Sequence, residues 1–360
     1  MMTSSIPNDP DDIFEYMGNL HIHSIYSDGE NTVSEIAATA QKIDLDFIIL
    51  NDHGHMTDNL HLEDEGFYGE LAVILGLEIG ERYHHYLAYD LKEMVKSQDS
   101  SPQEIIDQVN AQKGFGFLAH PFEKGMPFSG KSIAYTWNDL LVKDFTGICI
   151  WNFASRWKER IKTIFHAPFI LLFKSQMLKS PSRKTLRFWD DLCRDRRVVA
   201  IGGSDAHGAK FRLGPFSFKP LSYDYLLNSI NVHIFLNGAL PSNFTQAKLD
   251  IYNALRQGRL FIAHEMLAPA KGFRFSYFSD DGDALCMGEE GPFKEGVLII
   301  ESPQNGEIRL IKNGTLQKRW REQKVSIRVE EKGVYRVEVY HRLFLFGWRP
   351  WIFSNPIYLR

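Results

Sequence analysis

The chain has little cysteine: Cys149, Cys193 and Cys286 are the only three in 360 residues, and none sits in a CxxC or CxH pair. That excludes a disulfide framework and a thiolate zinc site, and it reads as a reduced, cytoplasmic protein. Charge of one sign is lacking too. Lys and Arg number 41 against 45 Asp and Glu, for a formal net charge of -4, so no basic face announces a nucleic-acid polymer or a membrane as partner. A small molecule is the expected partner; nothing in the sequence bears on oligomeric state. The opening MMTSSIPNDPDDIFEY has neither the charged n-region nor the apolar h-region of a secretory signal. The most apolar stretch, Ile161 to Leu178, is broken by His166, Pro168 and Lys174. It is too polar to span a bilayer, which takes about 20 apolar residues, and reads as helical hairpin material or a lid. Internal repeats, low-complexity tracts and long linkers are missing. So is a GxSxG elbow, and Gly202-Gly203-Ser204 is too short to cradle a phosphate as a Walker loop does.

What is present is apolar and strongly patterned. With 44% hydrophobic residues and a length beyond the roughly 250–300 at which one core stops growing, one large domain plus a smaller one is expected. Residues 20 to 205 alternate strand-like and helix-like segments, the pattern of a parallel sheet or barrel. Strands are expected at Asn19–His23, Phe47–Asn51, Ala72–Glu78, Gly116–His120, Gly147–Asn152 and Val198–Gly202. Val33, Ile36, Ala37, Ala40 and Ile43 recur at helical spacing behind Asn31 as a cap. Ser101, Pro102 and Glu104 form a capping box for a second helix, which Gly114 ends. A third helix, Thr245 to Gln257, stops at Gly258. Beyond about Gly272 the runs Val297–Glu301, Ile308–Lys312, Val325–Val329 and Val334–Tyr340 alternate with turns, including Asn313-Gly314, and predict an all-β sandwich.

Six of the apolar runs end in side chains that hydrogen-bond or bind metals. Period two puts His21 and His23 on one face of a strand, about 7 Å apart along the backbone, and the turn Ser27-Asp28-Gly29 brings Asp28 back toward them. Phe47-Ile48-Ile49-Leu50 delivers His53 after Asp52, a residue placed to orient a ligand from behind. Later runs deliver Glu78, His120, and Asp205 with His207. Neutral imidazoles and carboxylates suit zinc, manganese or iron, and more than four of them suggest more than one ion. At the carboxyl ends of barrel strands such groups converge on one face.

NLHIHSIYSDG, LNDHG, GLEIG, LAHP and GGSDAH, in this order, resemble the PHP (polymerase and histidinol phosphatase) superfamily over about residues 18 to 208. With the tail ending in Trp351-Ile352-Phe353-Ser354-Asn355-Pro356, the chain is similar to the branch that includes carbaryl hydrolase. The resemblance implies an α/β fold, a distorted (β/α)7 TIM-like barrel over residues 1–268 with a helical insertion at about 156–190, followed by a small β-sandwich over 269–360. It implies two or three divalent ions, zinc, manganese or iron, held by His21, His23, Asp28, His53, Glu78, His120, Asp205 and His207, with Glu78 as bridge. One further ligand is a histidine after Glu78. His84 and His85 compete for it, and His85 is favoured because His85-Tyr86-Leu87-Ala88 reads as a strand opening with the ligand. Asn19 stands where many members of the family have Asp.

Clustered ions lower the pKa of a bridging water and neutralise a leaving alkoxide. The expected activity is therefore hydrolysis of a small phosphomonoester or a nucleotide-like phosphodiester through a metal-activated hydroxide, with Glu78, Asp205 and His207 acting in catalysis. Lys124, Asn152 and Arg156 lie after strands and are the candidates for holding substrate. Carboxyl- or carbamate-ester hydrolysis at the same centre, and a metal-stabilised binding protein, are the competing readings.

Overall fold

A computed structural model of the chain describes residues 13–126, 135–163, 165–213 and 216–360. The chain forms two compact units from interleaved segments. One comprises Gly18–Thr185 and Ile201–Asn231; the other comprises the described part of Met1–Met17, Leu186–Ala200 and Val232–Arg360. Among the described residues, no helix is long and apolar enough to cross a membrane.

The first unit is an α/β structure. Strand β1 (Phe14–Ile22) pairs in parallel with β2 (Phe47–His53). The short β3 (Gly66–Tyr68) runs antiparallel to the start of β4 (Leu71–Ile79), whose other edge pairs in parallel with β2. The end of β4 continues antiparallel to β5 (Tyr86–Tyr89), then to β6 (Phe115–Leu118), and β6 pairs in parallel with β7 (Gly147–Asn152). The segment leaving β8 (Val199–Gly203) lies beside β1, with Ser204 N donating to Leu20 O at 3.1 Å and a parallel bridge between Ile22 and Ala206. Both β2 and β4 are buried along their whole length, which is why they read as continuous apolar runs instead of alternating ones. All six expected strands form. The first begins earlier, at Phe14, and β7 has the expected bounds.

Helices follow the capping chemistry. The cap of α1 (Val33–Gln41) is Thr32 instead of the expected Asn31, because Thr32 and Glu35 exchange reciprocal bonds, Glu35 N to Thr32 Oγ1 at 3.3 Å and Thr32 N to Glu35 Oε2 at 2.8 Å. Ser101 and Glu104 close the same box on α2 (Pro102–Ala111) as read, but the chain leaves that helix before Gly114, turning at Lys113 with φ 65°. Asn152 caps α3 (Phe153–Lys158) by accepting from Ser155 N at 3.0 Å. The expected insertion contains α4 (His166–Leu172) and the start of α5 (Arg183–Asp195). A small antiparallel pair, β9 (Phe211–Leu213) with β10 (Phe216–Phe218), and α6 (Tyr223–Leu227) complete this unit.

Asn19 sits fully buried near the end of β1. Its Nδ2 donates to Leu227 O at 3.3 Å, Ile230 O at 3.1 Å and Asn231 Oδ1 at 2.7 Å, while its Oδ1 accepts from Ser204 Oγ at 2.7 Å. The amide is thus used for its donor, to tie β1 to the chain after α6. An aspartate would turn an acceptor toward three acceptors. Asn19→Asp is expected to destabilise the fold by about 1–3 kcal/mol, read as a lower thermal unfolding midpoint; an unchanged midpoint contradicts this role.

The second unit begins along β11 (Ile230–Leu236) and α7 (Phe244–Gln257), which ends as expected at Gly258, φ 71°. The strands β12 (Leu260–His264), β13 (Arg274–Ser279), β14 (Ala284–Cys286), β15 (Glu290–Gly291), β16 (Gly296–Lys312), β17 (Thr315–Val329), β18 (Gly333–Leu343), β19 (Gly347–Ser354) and β20 (Ile357–Leu359) follow. The runs expected as separate strands at Val297–Glu301 and Ile308–Lys312 are one 17-residue strand. A register shift between Glu301 and Gly306 absorbs the polar residues between them. Asn313 and Gly314, φ 49° and 78°, make the two-residue turn into β17. Phe275, Leu298, Ile300, Ile308, Val337 and Trp351 form the core of this sheet region.

Candidate metal centre

The strand ends of the first unit are built to aim side chains inward. At the end of β1 the register shifts between Leu20 and Ile22, and His21 takes φ 64°. The turn that follows closes tightly, since a Cβ on Gly29 would lie 2.3 Å from His23 O. Asp52 on β2 holds this turn by accepting from Ser24 N and Ser24 Oγ, both at 2.7 Å, and from Ser27 Oγ at 2.5 Å. It therefore positions Asp28 through the backbone. His53 ends β2 directly opposite Glu78 on β4. His120 follows β6 with φ 28°, and Asp205 follows β8 with φ 56°. Left-handed backbone at three residues that are not glycine costs about 1–3 kcal/mol each and persists where the surroundings impose it, which is typical of functional sites.

Glu78, 1% exposed, is the centre of the constellation. Its Oε2 lies 3.2 Å from His21 Nε2, 3.4 Å from His23 Nε2 and 3.2 Å from His53 Nδ1. Its Oε1 lies 2.8 Å from His85 Nδ1 and 3.1 Å from His120 Nε2. Asp205 Oδ1 is 3.4 Å from both His21 Nε2 and His23 Nε2. At the rim, the more exposed Asp28 approaches His207 Nε2 at 3.2 Å, His23 Nδ1 at 3.6 Å and His53 Nε2 at 3.7 Å.

The electrostatics separate the groups. Burial alone would raise Glu78, but the imidazoles of His21, His85 and His53 and the hydrogen bond from His120 hold its carboxyl well below the usual range. Burial is likewise overcome at Asp205, by His21, His23 and His207, and at Asp28, by His207. Burial, with His207 nearby, pushes His23 down to about 3, and burial pushes His53 down to about 4 against the pull of Glu78 and Asp28. His120 and His207 go the other way. Burial would lower them, yet the bond to Glu78 and the charge of Glu123 carry His120 to about 9, and the bond to Asp28 and the charge of Asp205 carry His207 to about 9.

These residues fit divalent cations. Nε2 of His21, Nε2 of His23 and Nδ1 of His53 are buried with no hydrogen-bond partner, although carboxylate oxygens stand 3.2–3.4 Å away. Two donors on a common ion, each about 2.0–2.2 Å from it, are spaced in just this way. Among the described residues, four groups have mutually close donor atoms: His21, His23 and Glu78; His21, His120 and Asp205; His53, Glu78 and His85; and His23, Asp28, His53 and His207. All nine expected ligands are brought together. His85 lies in the cluster, whereas His84, φ 61°, turns its Nε2 to the backbone N–H groups of Asn138 and Asp139.

A cavity of about 300 Å³ opens on the cluster, lined also by Glu123, Tyr135, Trp157, Lys158, Leu221 and Leu226. The residues expected to hold substrate do not line it. Lys124 is exposed, and Asn152 caps α3. Arg156 is occupied by Glu159 and Ser180 O, on the opposite face of that helix. Lys158 lines it instead, 3.7 Å from the buried Glu123, which in turn is 3.3 Å from His120 Nδ1. Neither residue carries a distinctive sequence signal.

Residues 19–149 match the family model of the PHP domain. Among solved structures, the chain is similar to a two-domain protein containing a predicted PHP-like metal-dependent phosphoesterase from Bacteroides vulgatus ATCC 8482. Identity is 14% and the TM-score 0.45, over 96% of each chain. It is also similar to a presumed metal-dependent phosphoesterase from Bifidobacterium adolescentis ATCC 15703, with 15% identity and a TM-score of 0.36, over 55% of this chain and 90% of that one. No curated protein matches, so the likeness to carbaryl hydrolase rests on the motifs alone.

Proposed function

We propose that the chain is a divalent-metal-dependent phosphoesterase whose PHP-type barrel gathers nine ligands, Glu78 at their centre, and that it hydrolyses a small phosphomonoester or nucleotide-like phosphodiester. The observation that carries this is the set of five imidazoles within 3.4 Å of one buried carboxylate, an arrangement that cations would complete. The PHP match over residues 19–149 supports it. When bound, zinc, manganese or iron would acidify a water, polarise the ester and offset charge on the departing oxygen.

The chain's own groups have distinct parts in this reaction. Glu78, Asp205 and His207 keep their carboxylates and imidazole at the cavity wall, where they would hold the ions. Lys158 brings a positive charge to the same wall, and Glu123 fixes its position. Trp157, Leu221 and Leu226 supply an apolar surface for the leaving group. Among the described residues the lining contains no Ser, Thr or Cys.

Protein reconstituted with manganese or zinc is expected to turn over nitrophenyl phosphate or bis(nitrophenyl) phosphate, to lose that activity to a chelator, and to leave nitrophenyl acetate intact. Turnover of the acetate alone would overturn the assignment in favour of carboxyl-ester hydrolysis. Lys158→Met is expected to raise KM for the phosphate ester about ten- to hundredfold, the value of one charge-assisted hydrogen bond, at unchanged metal content. An unaltered KM would remove Lys158 from the substrate site.

A further inference from the structure

The second unit carries an apolar tip that its core does not use. β18 and β19 are joined by the turn Phe344-Leu345-Phe346, with Leu343 opposite Gly347, Arg342 opposite Trp348 and His341 opposite Arg349. Phe344 is 100% exposed and Leu345 81%. The core of the sheet lies further along the same strands, at Val337, Val339, Trp351 and Ile352. Large apolar side chains held clear of the molecule at the end of a hairpin mark a surface that meets something apolar.

The collar of this tip is basic. Arg342 and Arg349 flank it, and the Arg321 guanidinium lies 5.4 Å from the centre of the Trp348 ring, its side chain 71% exposed although Glu307 is 3.7 Å away. On the same strand, β17, Lys324 is also exposed and is paired with Glu301, with the acid Glu322 between it and Arg321. A net charge of -4 for the whole chain averages this local concentration away.

We infer that the Phe344–Leu345 tip is a docking element for a lipid bilayer with anionic headgroups. Phenylalanine and leucine enter the boundary between headgroups and acyl chains, a tryptophan settles at headgroup depth, and arginines around them meet the phosphates. A convex tip ringed by arginine suits a deformable, negatively charged apolar surface, whereas a folded protein partner would have to supply a matching pocket. The inference is independent of the reaction proposed for the first unit.

Sedimentation of the full chain with vesicles tests it. Vesicles of equimolar phosphatidylcholine and phosphatidylglycerol are expected to retain the protein, and phosphatidylcholine vesicles to retain it far more weakly. Phe344→Ser with Leu345→Ser is expected to weaken retention about tenfold or more without moving the thermal unfolding midpoint, since neither side chain is packed. Arg342→Gln is expected to weaken it about fivefold. Failure of the phosphatidylglycerol vesicles to retain the protein, equal retention by both vesicles, or equal retention of the double variant would each overturn the inference.

Discussion

Replacing Glu78 by Gln is expected to abolish turnover, by more than about 100-fold, the upper end of what loss of a merely supporting residue costs a metal site. The reason is the position of its two oxygens. Oε2 faces His21, His23 and His53, and Oε1 faces His85 and His120, so one carboxylate supplies the negative charge on which five imidazoles converge. Glutamine keeps the shape and one acceptor but removes that charge, so every ion sharing the residue is bound less tightly. Metal content is expected to fall together with kcat. The metal-free variant gains nothing from the loss either, because Glu78 is also the partner that keeps His120 protonated. Undiminished kcat in Glu78→Gln, measured with the metal content of the same sample, would contradict the central role of this carboxylate.

Metal binding is expected to depend steeply on pH, and the sign follows from His120 and His207. Both are carried up to about 9 without a cation, so below that pH each must release a proton to become a ligand. Affinity is then expected to rise with pH by up to about tenfold per unit for each histidine, about a hundredfold for the pair, levelling off above about 9. The stability of the metal-free protein runs differently. Folded values raised above 6.5 mean that His120 and His207 contribute stability that is complete below the unfolded value and lost as pH climbs through about 9. Glu78 and Asp205, held low, contribute stability above the usual carboxylate range that is lost on acidification. His23 and His53, folded at about 3 and 4, remain neutral while the unfolded chain takes up protons, and so add to the acid loss. Chelator-treated protein is therefore expected to be most stable between these limits. Isothermal titration at several pH values, with proton release followed in buffers of different ionisation enthalpy, checks the first part. A flat affinity between pH 6 and 9 would contradict it.

The parts of the centre that were legible in the sequence are those whose position depends on a strand end. His53 and Glu78 close apolar runs that pair in register, and a run that ends in a polar residue places it at the mouth whatever the rest of the fold does. Asp28 and His207 follow because a short turn leaves few ways to go. What was hidden depends on rotation about a helix axis. Asn152, Arg156 and Glu159 lie on one face of the α3 segment and line a small cavity that shares only His120 and Glu123 with the metal cavity. Ala154, Trp157 and Lys158, at spacings of three and four, lie on the face toward the metal cluster. Two residues along a helix are about 200° of rotation, so choosing Arg156 over Lys158 required the orientation of α3, which no local signal encodes. The cap of α1 shows the same limit at shorter range. Asn31 and Thr32 are both good capping residues, and the reciprocal bonds with Glu35 decide between them. The membership of the two units was hidden for a topological reason, since Leu186–Ala200 joins the tail while the chain on either side of it joins the first unit.

Elemental analysis of the purified chain, after reconstitution with zinc or manganese and removal of excess ion, tests the central claim most directly. Two or three divalent ions per chain are expected, released by a chelator and reduced in Glu78→Gln. A chain that retains no ion under these conditions, with its fold intact, would contradict the metal centre and the hydrolysis proposed to occur there.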